Sequence, residues 1–253
     1  MLPLRDENPT ARRAIVTFAL IVVNLGIYFG IQFPKSDQAQ TAFEYRWAAV
    51  PCEINTGKPI VAVPDTAATP PNACVVPAAG INAPQTLFPH KSVWLALFFS
   101  MFLHASILHV LGNMLFLWIF GNNVEDQLGH VWYLVLYLVG GLAASFVYVA
   151  GNVHSVDPVI GASGAIAVVM GAYIVWWPRA RILTLVTIIP LYLPAMIVLG
   201  FWFMLQFFTS ASSGVATLVH IAGFIIGMVV AFALRAMLHY PRPVRRGPSA
   251  RAL

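Results

Sequence analysis

Four polar residues of this chain are of types that could do chemistry together. Ser163 lies in Gly161-Ala162-Ser163-Gly164, His109 and Asn113 in the uncharged run 92–120, and His220 in the uncharged run 215–234. A serine hydroxyl beside an imidazole supplies a nucleophile and a general base that can hand its proton to a leaving amine. An amide side chain, a histidine N–H and the backbone N–H of a serine at a helix start could then hold a tetrahedral oxyanion. His109 and Asn113 are four apart and share a helix face. Each residue also has a plainer use. Small residues let helices approach closely in lipid, and histidine and asparagine hydrogen-bond across helices. Taken singly, those structural uses are the common ones. Taken together at one depth, the four residues point to acyl transfer.

The common depth follows from the elements that must carry them. The chain has 253 residues, 59% hydrophobic and only 9% charged, whereas a soluble domain has about 25% charged. It reads as an all-α, polytopic membrane protein. Its net charge is +5, but the arginines sit at segment ends with no basic, aromatic-interleaved surface, so nucleic acid is not an expected partner. Ala14 to Phe33 is uncharged and long enough to cross a hydrocarbon core of about 30 Å at about 1.5 Å per residue. The run 92–120 would make a helix of about 42 Å, too long for one crossing. The aromatic stretch Val93 to Leu103 is therefore expected in the interface, with the second span starting near Ala105.

Gly121 to Asp126 reads as an inner turn, with Glu125 and Asp126 serving the start of the next helix. Spans three and four are predicted over 131–150 and 161–177. Pro190 and Pro194 interrupt the run 182–208, so the fifth span is predicted from about Pro194, after a partly immersed connection. The sixth is predicted over 215–234. His109, Asn113, Ser163 and His220 then all fall in the outer half. The predicted organisation is an N-terminus (1–13), a six-helix membrane domain (14–238) with a large first outer loop (34–104), and a basic tail (239–253).

Orientation follows from the cations. Arg5, Arg12, Arg13, Arg179, Arg181, Arg235, Arg242, Arg245, Arg246 and Arg251 fall on one side of six spans; Lys35, Arg46, Lys58 and Lys91 fall on the other. The positive-inside rule makes the first side cytoplasmic, with both termini on it. Cys52 and Cys74 then face an oxidising compartment, where a disulfide is expected; closing such a loop contributes about 3 kcal/mol. Ser163, Ala167 and Gly171 line one face of the fourth span, flanked by Gly161 and Gly164, and Gly223 and Gly227 form a small pair on the sixth. No acidic residue is expected within any span, so the catalytic unit reads as a dyad lacking a triad's carboxylate. His104 is expected to pin a helix start at the interface, and His90, His130, His154 and His239 to be surface residues.

Three ordered motifs carry a resemblance: Phe102-Leu103-His104-Ala105-Ser106-Ile107-Leu108-His109-Val110-Leu111-Gly112-Asn113-Met114, then Gly161-Ala162-Ser163-Gly164, then His220-Ile221-Ala222-Gly223. From about Phe98 to Gly227 the chain resembles the rhomboid family of intramembrane serine proteases. The resemblance implies Ser163 as nucleophile, His220 as general base, and Asn113 with His109 in the oxyanion hole. It also implies cleavage of transmembrane segments of membrane protein substrates within the lipid bilayer, near its outer face. No cofactor or metal is implied, and the expected location is a bacterial cytoplasmic (inner) membrane. Two positions depart from the family pattern. Trp94 is followed by Leu95 where many relatives carry Trp-Arg, and Ala167 stands where many have an aromatic residue stacked on the histidine. His220 is therefore expected to be oriented by Phe224 or Tyr173. A silent relative that only binds membrane helices would be expected to lose Ser163 or His220, and a transporter to show repeats or charged residues in its spans.

Overall fold

Apolar runs broken by glycine, proline and short polar stretches fold here mainly into helices. The computed structural model describes residues 1–33, 36–60, 88–209 and 216–237. In chain order these are β1 (Leu2–Asp6), α1 (Ile15–Ile27, closing in a π turn over Tyr28–Gln32), α2 (Asp37–Trp47), α3 (Pro51–Thr56), α4 (Val93–Ser100), α5 (Ile107–Leu128), α6 (His130–Gly151), α7 (Ser163–Trp176), β2 (Arg181–Val186), β3 (Ile189–Pro194), α8 (Ala195–Phe208) and α9 (Thr217–Met237). Among the described residues, four helical stretches are long and apolar enough to cross a membrane: 15–32, α5, α6 and α9. The helices α7 and α8 are shorter apolar ones.

At the centre stands α7. Eleven of its residues are buried, because α5, α6 and α9 all pack against it. A helix apolar all round must be covered all round. The contact with α9 is close enough to be made by backbone. A Cβ on Gly171 would collide with the Phe224 carbonyl, one on Gly227 with the Val168 carbonyl, and one on Gly223 with the Gly164 carbonyl. Gly140 and Gly141 of α6 fit likewise against Val168 and Ala165 of α7. Such seams substitute close van der Waals packing for the hydrophobic effect that lipid cannot supply.

Two expectations are corrected. The stretch Gly121–Asp126 is not a turn, since α5 continues to Leu128 and the chain breaks only at Gly129 (φ 78°). Gly121 serves packing instead, being too close to the Tyr133 hydroxyl and the Thr17 side chain to bear a Cβ. Glu125 and Asp126 therefore lie inside a long helix, and their main partners are in and before α1, although Glu125 also holds the His130 ring at the start of α6 at 2.6 Å. Glu125 accepts from Val16 N and Thr17 N, both at 2.8 Å, and from Thr17 Oγ1 at 2.7 Å. Asp126 accepts from Ala11 N and Arg12 N at 2.9 and 2.8 Å. Glu125 thus satisfies free N–H groups at the start of α1, and Asp126 holds the segment that leads into it.

The connection after α7, expected to be partly immersed, is a pair of strands. Strands β2 and β3 form an antiparallel hairpin, and β1 pairs with β2 in the register Leu2↔Leu185, giving the sheet order β1-β2-β3. Pro190 and Pro194 lie on the edge strand β3, where a missing N–H is tolerated. Among the described residues the fold is mostly helical, with this one small sheet.

Among the described residues, the stretch between α1 and α5 holds the helices α2, α3 and α4. Ser100 ties it to the rest: its Oγ accepts from Ala49 N at 2.6 Å, and its carbonyl accepts from Gly161 N at 2.9 Å. Ala49 in turn bridges Val159. Lys91 bonds Glu53 and the Tyr45 carbonyl, and burial pushes its ammonium pKa below the usual range. Cys52 is buried and disulfide-bonded, while Cys74 and the basic tail 239–253 lie outside the described residues.

Candidate active site

The site begins with the turn that delivers Ser163 as the first residue of α7. Gly161 has φ 127°, in the region that favours glycine. A Cβ there would also lie 3.0 Å from Cε1 and Nε2 of His109 and 3.5 Å from Ser163 Oγ. The missing side chain thus lets the His109 ring and the Ser163 hydroxyl converge over one backbone position. As the first residue of α7, Ser163 has an N–H with no partner inside its own helix.

His220 enters from α9. The Gly164·Gly223 contact, one residue after the serine and three after the histidine, brings the two helices close enough for a short serine side chain to reach. Ser163 Oγ lies 2.7 Å from His220 Nε2. Both residues are half-buried. On its other side His220 Nδ1 lies 2.8 Å from Gln206 Oε1 of α8. The Trp202 ring, also on α8, packs on the imidazole with centroids 5.8 Å apart.

The expected orienters of His220 are therefore replaced. Phe224 stacks on Phe203 at 4.8 Å and packs on Trp202 at 6.0 Å, while the Tyr173 hydroxyl bonds Asp6 Oδ2 at 2.7 Å. Ala167 is fully buried and lies against Gly223. Gln206 was not among the candidate residues from the sequence. The only polar side chain of α8, it carries the same signal as the others, a polar group in an apolar run.

His109 and Asn113 stand one turn apart on α5. Ser106 caps that helix, its Oγ accepting from His109 N at 3.1 Å. His109 Nδ1 accepts from Ala105 N at 3.4 Å. Its ring packs edge-on to His104, centroids 5.1 Å apart. His104 is fully buried, and its backbone is clamped at both N and O by the Gln32 amide at 3.0 Å. The Nδ2 of Asn113 is buried without a hydrogen-bond partner. Among the described residues no group of three or more His, Cys, Asp or Glu could hold a metal ion.

A model of the Rhomboid domain matches residues 91–237. The chain is 36% identical over 94 residues to presenilin-associated rhomboid-like protein A, mitochondrial, of Danio rerio, a stretch covering 36% of this chain and 24% of that protein. It is 31% identical over 144 residues to RHOMBOID-like protein 1 of Arabidopsis thaliana, covering 56% of this chain and 35% of that one. Against rhomboid protease GlpG of Yersinia pestis (strain Pestoides F) it is 31% identical over 131 residues, covering 52% and 45%. The matched stretch thus spans less than half of each of these relatives. With the domain match covering more than half its length, and with several helices apolar enough to cross a membrane, the chain belongs to the rhomboid family and is a multi-pass membrane protein.

Proposed function

We propose that this chain is an intramembrane serine endopeptidase that cuts single-span membrane proteins near the outer face of the bilayer. The observation that carries the reading is the 2.7 Å contact of Ser163 Oγ with His220 Nε2. As His220 Nε2 takes its proton, Ser163 Oγ attacks the scissile carbonyl carbon. The resulting oxyanion is met by the Ser163 N–H and the Asn113 amide, whose Nδ2 has no other partner. His109 adds a third donor. With Nδ1 accepting from Ala105 N, its proton resides on Nε2, the atom over Gly161. Collapse of the intermediate passes the His220 proton to the leaving amine and leaves an ester on Ser163. Water, deprotonated by the same Nε2, then hydrolyses that ester.

The remaining spans and the orientation belong to the same proposal. Helices α7 and α8 complete a six-span bundle with both termini in the cytoplasm of a bacterial cell. Pairing of β1 with β2 supports this, because it holds residues 2–6 and 181–186 on one side. At fourteen residues, α7 is about 21 Å long, shorter than a hydrocarbon core of about 30 Å. With Pro178 and Arg179 at the inner surface, Ser163 then lies below the outer one. A substrate helix must unwind to offer its amide there, so transmembrane segments with glycine or proline near the outer face are the expected substrates.

The test is cleavage of a single-span reporter in liposomes by the wild type, Ser163→Ala and His220→Ala, with fluorophosphonate labelling alongside. Cleavage and labelling by the wild type alone are expected. A wild type that neither cuts nor labels would instead mark a silent relative that binds membrane helices.

A further inference from the structure

We propose that Gln206 is the positioning residue of the dyad: its side-chain oxygen accepts the Nδ1 proton of His220 and so leaves Nε2 bare to receive the proton of Ser163. The inference rests on the function proposed above and adds a third helix to the machinery, since Ser163, His220 and Gln206 lie on α7, α9 and α8.

The chemistry of the contact fixes the tautomer. A neutral imidazole carries one N–H, and an amide oxygen can only accept. With Gln206 Oε1 at 2.8 Å from Nδ1, the proton is on Nδ1. Ser163, 2.7 Å away, then donates to Nε2. The other half of the amide fixes which way round it sits. Gln206 Nε2 donates to the Trp202 carbonyl at 2.9 Å, one turn back along α8. Flipping the amide would set oxygen against that carbonyl and nitrogen against the imidazole. One backbone carbonyl therefore orients Gln206, and Gln206 orients the base.

Three further features fit this role. Gln206 is buried in an otherwise apolar helix, where an unpaired amide would be costly. Trp202, which accepts from Gln206 through its backbone, packs its own ring on His220. And the position four after the serine is Ala167, too small to stack on an imidazole. Unlike a carboxylate, the amide brings no charge to offset the imidazolium that forms on proton transfer. Its effect is orientation and tautomer, so removing it costs about tenfold to a hundredfold in rate, the scale of one hydrogen bond to a group that becomes charged. A full triad carboxylate is worth about ten-thousandfold.

The experiment is NMR of the full chain, with ring-labelled histidine, in liposomes at neutral pH, with His220→Ala identifying the resonance. The Nδ1–H tautomer is expected for His220 in the wild type, and a mixture of tautomers in Gln206→Leu. Reporter cleavage by Gln206→Leu should show kcat reduced about tenfold to a hundredfold with KM little changed. A wild-type His220 carrying its proton on Nε2 overturns the proposal without reference to any variant. So does a Gln206→Leu protein that keeps the wild-type tautomer and kcat. The expected tautomer in a wild type that neither cuts nor labels would sustain the role of Gln206 and sink the proposed protease.

Discussion

Two polar clusters are built on the same helices, and they are finished differently. One joins Ser163, His220 and Gln206, with His109 and Asn113 beside them on α5. The other comprises two neighbouring networks, one of Asp6, Asn8, Asn123 and Tyr173 and one of Thr17, Glu125 and His130. Asn113 and Asn123 lie ten residues apart on α5, as do Ser163 and Tyr173 on α7, so the clusters are separated by about 15 Å along each helix. The second cluster is saturated. Both Glu125 oxygens and Asp6 Oδ2 are bonded, and Asn123 Nδ2 reaches both Asp6 and Asn122. The first holds a buried Asn113 Nδ2 with no partner and a helix start with free N–H groups. Buried donors left open cost stability. The saturated networks hold helices and chain entry together, whereas the open Asn113 Nδ2 is a donor that the proposed mechanism uses.

The sharpest way to break that distinction is to truncate one member of each cluster. Glu125→Ala strips the partner from two backbone N–H groups, a hydroxyl and an imidazole. It should lower stability by about 3–5 kcal/mol in detergent unfolding, yet leave Ser163 labelling near the wild-type rate in whatever remains folded. Asn113→Ala should do the reverse: kcat falls about a hundredfold to a thousandfold, while the unfolding midpoint stays within about 0.5 kcal/mol. A folded Glu125→Ala protein with a dead serine would mean that the clusters are one unit.

The seam between α7 and α9 gives a smaller contrast. Gly227→Ala drives a methyl into the Val168 carbonyl, which cannot move aside, so a loss of about 1–3 kcal/mol is expected. Because the seam sets the Ser163–His220 distance, reporter cleavage should fall with it. Gly200 of α8 has nothing within 4 Å of where its Cβ would be. Gly200→Ala should be neutral or stabilising by up to about 1 kcal/mol, with cleavage unchanged.

What could be read from the sequence alone divides along the same physical line. Ser163, His109, Asn113 and His220 were visible because polar groups in apolar runs are costly, and their helix faces followed from spacing. The packing glycines at 171, 223 and 227 were visible for a related reason, as small residues at helical intervals. Gly121 was misread because Gly-Asn-Asn-Val-Glu-Asp has the local composition of a turn. Its reason for being glycine is the Tyr133 hydroxyl and the Thr17 side chain, which come from other helices. The sheet was missed for the same cause: Leu2 pairs with Leu185 across most of the chain, and no local pattern announces that register. Gln206 broke the rule of apolar helices as plainly as His220 does. An amide, however, neither titrates nor matches a motif, so only its place beside the imidazole marks it.

The smallest effect at neutral pH is expected at Asp6, and it probes the saturated cluster by proton rather than by truncation. Asp6 accepts from the Tyr173 hydroxyl, Asn123 Nδ2 and Asn8 N. Burial nevertheless outweighs the Tyr173 and Asn8 hydrogen bonds and pushes its carboxyl from 3.8 up to about 6. A carboxyl raised on folding binds its proton more tightly in the folded state, so the folded chain holds more protons than the unfolded one between those two values. This group's contribution is therefore greatest below the lower value, declines as pH rises between them, and is level above about 6. Asp6→Asn should change stability at pH 7 by only about 1 kcal/mol, one hydrogen bond's worth, but should remove that slope from the unfolding midpoint measured against pH. If the slope persists in the variant, some other group is titrating and the cluster is less closed than its hydrogen bonds indicate. If it vanishes while Ser163 labelling keeps its own pH profile, then proton binding at one end of α7 stabilises the bundle without reaching the chemistry at the other.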